Sequence, residues 1–264
     1  MRILLTNDDG IASPGIAALR RALKPLGEII TIAPAQNNSA VARSITIDHS
    51  LNVEPLVFAD GDAGWAVDGT PCDCVRIALT GQLAPPPDAV VAGINLGANM
   101  GDDVTYSGTV GAALEGALHD LPAIAVSVAS REPGSLDEVT DLVRAIVARG
   151  LSDVLPPRTV LNVNLPDRPL AEIVGVRVAG LGGASCSDHV EFNGDDVIGG
   201  EFRVYCEAPD SALRLGADFD TVAAGFVALT PLRYDFVDPR AVAAIETWLL
   251  DDLLAPRVSG TAGR

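Results

Sequence analysis

An α/β fold, with an open and mostly parallel sheet and helices on both faces, is predicted by three features of this sequence. Over roughly the first 130 residues, strand-like and helix-like patterns alternate as in successive βαβ units. The strand candidates are nearly continuous apolar runs, as parallel strands buried on both faces require. Polar clusters close several of those runs, where open α/β sheets bind their ligands. With 264 residues, the chain can bury a substantial core, as one large domain or a domain with an appendage.

Ile3–Thr6 is the first strand and ends on Asn7-Asp8-Asp9-Gly10. An amphipathic helix follows over Pro14–Leu26, with Ile16, Leu19, Leu23 and Leu26 on one face and Gly27 as its stop. Glu28–Ala33 is the second strand, followed by the polar stretch Gln36-Asn37-Asn38-Ser39. Residues 44–68 read as extended, partly exposed β structure with turns at Asp60-Gly61 and Ala63-Gly64. Pro71–Leu83 is expected to be helical, and Pro85-Pro86-Pro87 breaks the chain before a strand over Asp88–Asn95. A glycine-rich loop leads to a helix of small residues over Thr109–Asp120 and a buried strand over Pro122–Val128. Ser135-Leu136-Asp137-Glu138 reads as a capping box for a long helix carrying Leu136, Val139, Leu142, Val143, Ile146 and Val147, ended by Gly150. Thr159–Leu165 adds a further strand.

From Ile173 the pattern turns β-rich and irregular, with glycines clustered at 180–183 and 199–200. A last helix begins at Asp238-Pro239 and presents Val242, Ile245, Trp248 and Leu249. The organisation expected is a catalytic core over 1–170, a β-rich extension over 171–235 with some strands returning to the core, a C-terminal helix over 236–255 and a disordered tail over 256–264.

The formal net charge of −17 opposes binding to polyanions, and with few aromatic residues for base stacking it argues against a nucleic-acid partner. No apolar run reaches membrane-spanning length, and the N-terminus lacks the basic flank and cleavage site of a signal peptide, so a cytoplasmic protein without membrane contact is expected. Cys72, Cys74, Cys186 and Cys206 have no zinc-site spacing and read as reduced structural thiols.

Asp8 and Asp9 repel each other unless a cation sits between them or one is protonated; an ordinary solvated turn is the plainer reading. At successive strand ends, Asp8, Asp9, Ser39 and Asn95 offer two carboxylates, a hydroxyl and an amide oxygen around one point. Such all-oxygen ligation favours Mg²⁺, Mn²⁺ or Ca²⁺ over zinc. Ser107-Gly108-Thr109, at the start of the small-residue helix, suits a phosphate through free amides, hydroxyls and the positive helix end, though ordinary capping by Ser107 or Thr109 reads as well. Dinucleotide, P-loop and nucleophile-elbow motifs are missing. Together these point to metal-assisted hydrolysis of a phosphoester.

The runs N-D-D-G-I-x-x-P-G-I (7–16), A-P-x-x-x-N-S (33–39), G-T-P-x-D-C-V (69–75) and G-I-N-L-G-A-N-M-G-D-D-V-T-Y-S-G-T-V-G-A-A-L-E-G (93–116) closely resemble the SurE family of divalent-metal-dependent nucleotidases and acid phosphatases. Weaker echoes continue at 161–166, Asp218 and 226–232. The resemblance implies a Rossmann-like core with a β-rich extension, one divalent cation (Mg²⁺ or Mn²⁺) per subunit on Asp8, Asp9, Ser39 and Asn95, and a phosphate site near Asn7, Asn95, Ser107, Gly108 and Thr109. It also implies a nucleoside monophosphate substrate, with Asp8, Asp9 and Asn95 catalytic, and a homodimer or homotetramer. A phosphatase forming an aspartyl-phosphate usually shows Asp-x-Asp-Gly, where this chain has Asn-Asp-Asp-Gly; a non-catalytic nucleotide sensor on the same fold is the other alternative. Two stretches depart from the family pattern. Ser39-Ala40-Val41-Ala42-Arg43-Ser44 replaces an expected Ser-Gly-x-Gly-x-Ser, and Ala179–Glu207, expected to touch the nucleoside or a neighbouring subunit, matches poorly.

Overall fold

Residues 1–134, 136–152, 155–183, 187–193, 200–207 and 217–248 are described by the structure, a computed structural model of the chain. They fall into two units, Met1–Arg233 and the segment from Tyr234 onward.

In the first unit, β1 (Arg2–Thr6) leads to α1 (Pro14–Leu23). Ser13 caps α1 through its Oγ, which accepts from the Gly15 N–H at 3.2 Å, and Pro14 fills the first turn, where a missing N–H costs nothing. Ile16, Leu19 and Leu23 are buried. Pro25 cannot continue the α-helical ladder, so Lys24–Leu26 tightens into a 3₁₀ turn.

After β2 (Glu28–Pro34) the chain forms a hairpin of β3 (Val53–Val57) and β4 (Ala63–Val67). Its turn lies at Asp60-Gly61, with Gly61 at φ +86°. Ala63 and Gly64 do not turn; they open β4, where Gly64 pairs with Thr31. A Cβ at position 64 would lie 2.6 Å from the Phe58 ring, so this glycine makes room for an aromatic ring rather than for a bend. Arg20, stacked over Phe58 at 3.6 Å and bonded to Asp60 and Asp62, pins the hairpin to α1.

Helix α2 (Pro71–Leu79) opens with a reciprocal capping box between Thr70 and Asp73. It ends at Leu79 rather than Leu83 because Thr80 Oγ1 donates to the Ile77 carbonyl at 2.7 Å and Gly81 turns the chain at φ +70°. Then come β5 (Ala89–Leu96), α3 (Gly108–Leu118), β6 (Ala123–Val128), α4 (Thr140–Ser152) and β7 (Thr159–Leu165). Of the capping box expected at 135–138, Ser135 lies outside the described residues; Glu138 accepts from Leu170 N at 3.3 Å, and α4 starts at Thr140. Gly150 does not stop α4. It lies within the helix, where an added Cβ would come 3.0 Å from both Ile124 and Leu161.

The remaining elements of this unit are β8 (Gly175–Val178), β9 (Ser187–Asn193), β10 (Glu201–Glu207), α5 (Ala217–Ala223) and β11 (Phe226–Arg233). β9 and β10 form a separate antiparallel pair. The other nine strands make one sheet in the order β3-β4-β2-β1-β5-β6-β7-β11-β8, in which β4 through β7 run parallel and β11 returns antiparallel to β7. This is the mostly parallel α/β fold predicted, with a small additional β layer.

Alternation along the strands builds two cores. Ile3, Leu5, Val91, Ile124, Val126 and Val163 face α1 and α4. Leu4, Ile30, Val90, Ala123 and Ala125 face α2 and α3. The second face is lined by small side chains where α3 comes close: a Cβ on Gly116 would sit 2.6 Å from Val90. Each fully buried Leu or Ile stabilises by about 1.5–3 kcal/mol.

The second unit contains α6 (Pro239–Glu246), capped by Asp238, whose carboxylate accepts from the Arg240 N–H at 2.8 Å. The helix ends at Glu246, inside the expected span of 236–255. Leu249 and the tail expected over 256–264 lie outside the described residues.

Candidate active site

Strand order reverses at β1: the chain runs outward to β2 on one side, while β5 pairs on the other. A crevice opens beyond the carboxyl ends of strands at such a switch point. Asp8 and Asp9 follow the end of β1, and Asn95 stands near the end of β5.

Asp8 is buried and faces the start of α3. Its Oδ2 accepts the Thr109 N–H at 3.0 Å and its Oδ1 accepts the Thr109 hydroxyl. Close approach requires glycine at 108, because a Cβ there would lie 2.8 Å from the Asp8 Cβ. Asp9, half-buried, turns its Oδ2 to the Leu96 N–H at 3.0 Å, which ties it to the end of β5. Asn95 donates its amide group to the Gly97 carbonyl at 2.8 Å, leaving Oδ1 as its remaining acceptor. The Asn38 N–H donates to the Asp8 carbonyl at 2.6 Å, and this bond brings the exposed Ser39 to the same rim. Asn7 donates to the Gly10 carbonyl at 2.9 Å, and its fully buried Oδ1 has no partner among the described residues.

Burial is the main cause that raises the Asp8 carboxyl above its ordinary range, against the lowering effect of the Thr109 bonds. Burial also raises Asp9, the Leu96 N–H opposes it, and the neighbouring Asp8 charge adds to the rise. Arg131 acts on Asp9 as a cation that lowers it. Adjacent carboxylates in this state are short of positive charge, and the acceptors that the neighbouring side chains can add are oxygens. Amide, hydroxyl and carboxylate oxygens without imidazole or thiolate suit a hard dication. Among the described residues no group of three or more His, Cys, Asp and Glu side chains could hold a metal, so such a centre depends on the two carboxylates plus neutral oxygens. Cys72 and Cys74 are buried free thiols, and burial pushes Cys72 up to about 12, consistent with an inert structural role.

The structure thus gathers Asp8, Asp9, Asn95 and the backbone beside Ser39 at one crevice. It assigns Thr109 differently from the sequence expectation. Both Thr109 donors are engaged by Asp8, so this residue holds a carboxylate rather than offering itself to a phosphate. Ser107 caps α3 by accepting from the Val110 N–H at 3.0 Å, and its hydroxyl proton remains available to a ligand.

Two supporting arrangements were not read from the sequence as such. Asn99 bonds through its N–H to Asn164 Oδ1 at 2.8 Å and through Nδ2 to Ser127 Oγ at 2.8 Å, while its carbonyl accepts from Asn162 and Asn164 at 2.9 Å each. Asn162 and Asn164 stand two apart on β7 and therefore share a face, a spacing that could have marked them. Asp218, fully buried, accepts from Gly101 N at 2.8 Å and Gly182 N at 2.7 Å. Both anchor the loop that joins Asn95 to Ser107.

The departure at 39–44 also has a physical form. Ala40 and Ala42 sit at φ +60° and +56°, where the expected pattern has glycine. Arg43 is drawn to the buried Glu115 of α3 at 2.9 and 3.1 Å. An alanine in this region costs ~1–2 kcal/mol relative to its relaxed backbone, partly offset by the greater entropy that glycine loses on folding. Ala40→Gly, at an exposed position, is therefore expected to stabilise the protein by about 0.5–1 kcal/mol in urea unfolding; an unchanged or lower midpoint contradicts the strain.

A family model described as Survival protein SurE matches residues 3–188. The 5'-nucleotidase SurE of Azotobacter vinelandii is 45% identical over 256 residues, covering 96% of this chain and 100% of the relative. That of Rubrobacter xylanophilus is 41% identical over 258 residues, covering 94% and 97%. The crystal structure of the SurE protein from Aquifex aeolicus superposes with a TM-score of 0.81 at 36% identity, covering 94% of this chain and 99% of that one.

Proposed function

The chain belongs to the SurE family, and from that premise we infer that it is a divalent-metal-dependent phosphohydrolase acting on nucleoside monophosphates, foremost the 5′ esters. The observation that carries this reading is the adjacent pair Asp8 and Asp9 at the switch point of the sheet, one fixed by Thr109 at the start of α3 and the other by the Leu96 N–H at the end of β5. Asp8, Asp9, Asn95 Oδ1 and Ser39 are the groups that would hold one Mg²⁺ or Mn²⁺ per subunit. A dication bound there supplies charge neutralisation at the phosphoryl group and a water of lowered pKa.

The remaining work falls to the chain itself. Thr109 fixes Asp8 through both carboxylate oxygens, and the Leu96 N–H fixes one oxygen of Asp9. Asp9 Oδ1 is then the better placed of the carboxylate oxygens to receive a proton from water. The Ser107 hydroxyl, at the positive end of α3, orients a phosphoryl oxygen as a donor set before the reaction begins. A homodimer or homotetramer working in the cytoplasm belongs to the same reading.

Phosphate release from 5′-AMP, 3′-AMP and glycerol 2-phosphate, measured with Mn²⁺, with Mg²⁺ and after EDTA, tests the proposal. Turnover is expected with a cation, lost on chelation and restored on readdition. Turnover insensitive to EDTA counts against it. Nucleotide binding without release under every cation favours the non-catalytic sensor, and a trapped phosphorylated aspartate favours the covalent route. Because protons compete for both acids, the Mn²⁺ affinity is expected to weaken on acidification at a pH above the ordinary carboxylate range of ~3.9. A titration whose affinity is flat from pH 7 down to about 4 would contradict the raised carboxyls.

A further inference from the structure

A cleft of about 480 Å³ lies between α1 and the segment after β6, beside Asp9. Its size falls within the ~300–1,000 Å³ range of small-molecule sites. Pro14 and Ala17 of α1, with Leu96, Pro133 and Leu136, give it apolar walls. Leu96 joins it to the catalytic crevice, because the Leu96 N–H is the group that holds Asp9 Oδ2 at 3.0 Å. Arg131 stands at the boundary, lining the cleft and acting electrostatically on Asp9. None of the groups placed above in metal or phosphate binding lines this cleft.

Resting on the phosphohydrolase reading, we propose that this cleft receives the nucleoside half of the substrate, the leaving alcohol, with Arg131 as a specificity-determining residue. The charges decide which half of a nucleotide it suits. Arg21 and Arg131 are matched by Glu132 and Asp137, and Arg21 is paired directly with Asp137. A second phosphate or a phosphate chain needs a surplus of cations, which a set of two positive and two negative groups does not provide. An uncharged base between proline, alanine and leucine side chains does not need one. A guanidinium at the lip can stack on the face of such a base, which an ammonium does poorly. The nucleoside then lies on the α1 side of Asp9, and not against the stretch 179–207 that departs from the family pattern.

Two variants probe the cleft: Ala17→Phe, which fills it away from the crevice, and Arg131→Ala, a change at an exposed side chain. For each, kcat and KM are measured with 5′-AMP and with glycerol 2-phosphate, and adenosine binding is measured by calorimetry. The expected result is a rise of tenfold or more in KM for 5′-AMP in Ala17→Phe, and a severalfold rise in Arg131→Ala. Glycerol 2-phosphate kinetics should be unchanged in Ala17→Phe, and in both variants adenosine affinity should fall in parallel with the 5′-AMP effect. In Ala17→Phe, equal losses on both esters, or no change on either, overturn the proposal. If the parent protein hydrolyses neither ester, the hydrolase reading fails, and adenosine calorimetry still judges the cleft: binding lost in both variants supports it, and no binding by the parent refutes it.

Discussion

Replacing Asp8 and Asp9 together with asparagine is expected to abolish phosphate release, by roughly 10³-fold or more, without unfolding the protein. That is the scale of losing several kcal/mol of charge stabilisation at the phosphoryl group. The stability of the metal-free protein should move the other way. A carboxyl whose folded pKa is raised binds its proton more tightly when folded, so its contribution is lost as pH rises from the unfolded value of ~3.9 through the folded one. At neutral pH both charges are therefore a net cost, dominated by burial, with the Asp8 charge adding to that of Asp9. Asparagine removes the charge yet keeps an acceptor for the Thr109 and Leu96 N–H groups. The metal-free double variant should thus melt at or above the parent at pH 7, and the difference should vanish towards pH 4. Mn²⁺ at about a hundred times its Kd should stabilise the parent by ~2.7 kcal/mol and leave the variant unmoved. Parental turnover in the variant, or an equal Mn²⁺ shift in both proteins, would refute the assignment.

What the sequence discloses here is what depends on near neighbours along the chain. Ile16, Leu19 and Leu23 mark the buried face of α1 by spacing alone, and the apolar run 89–94 marks a strand covered on both sides. Asp8 and Asp9 after β1 and Asn95 near the end of β5 come to the same edge of the sheet because neighbouring strand ends in a parallel sheet converge whatever the details of packing. Distant partners decide the rest. The Leu170 N–H, far along the chain, donates to the Glu138 carboxylate, and α4 begins only at Thr140. Gly64 and Gly150 resemble a turn and a helix stop, and their function is instead to admit Phe58 and the side chains of Ile124 and Leu161. Thr109 follows the same logic. A threonine at a helix start reads as a phosphate donor until the sheet order delivers Asp8 to the same spot. The left-handed backbone at Ala40 and Ala42 was invisible for the opposite reason, since residues of this type seldom adopt it.

Asp218→Ala is expected to produce the largest loss of stability of any single change considered, about 3–5 kcal/mol. Its carboxylate is fully buried and accepts from the N–H groups of Gly101, Gly182 and Phe219 at 2.8, 2.7 and 3.0 Å. Truncation leaves the buried Gly101 donor and the half-buried Gly182 and Phe219 donors without this partner, at about 1–3 kcal/mol for a fully buried one and less for the others. For a chain of this size the melting temperature should fall by roughly 10 °C, at about 2–4 °C per kcal/mol. The consequence for catalysis runs through the backbone. Gly101 holds φ +52° with its α-carbon hard against the Gly183 carbonyl, which a Cβ would approach to 2.0 Å. The segment from Gly97 to Thr105, which spaces Asn95 from Ser107, is thereby fastened to the chain at 182–183. Without Asp218 that fastening fails, and amide exchange in 97–105 should accelerate ahead of global unfolding. Asp218→Asn keeps one acceptor but turns an NH₂ toward a donor, so its loss should be intermediate. Turnover should fall in both variants, with KM for glycerol 2-phosphate rising along with that for 5′-AMP, because the phosphoryl side is loosened and the cleft beside Arg131 is not. An alanine variant that melts within about 2 °C of the parent, or whose 97–105 amides exchange at the parental rate, would show that the buried carboxylate does not hold this loop.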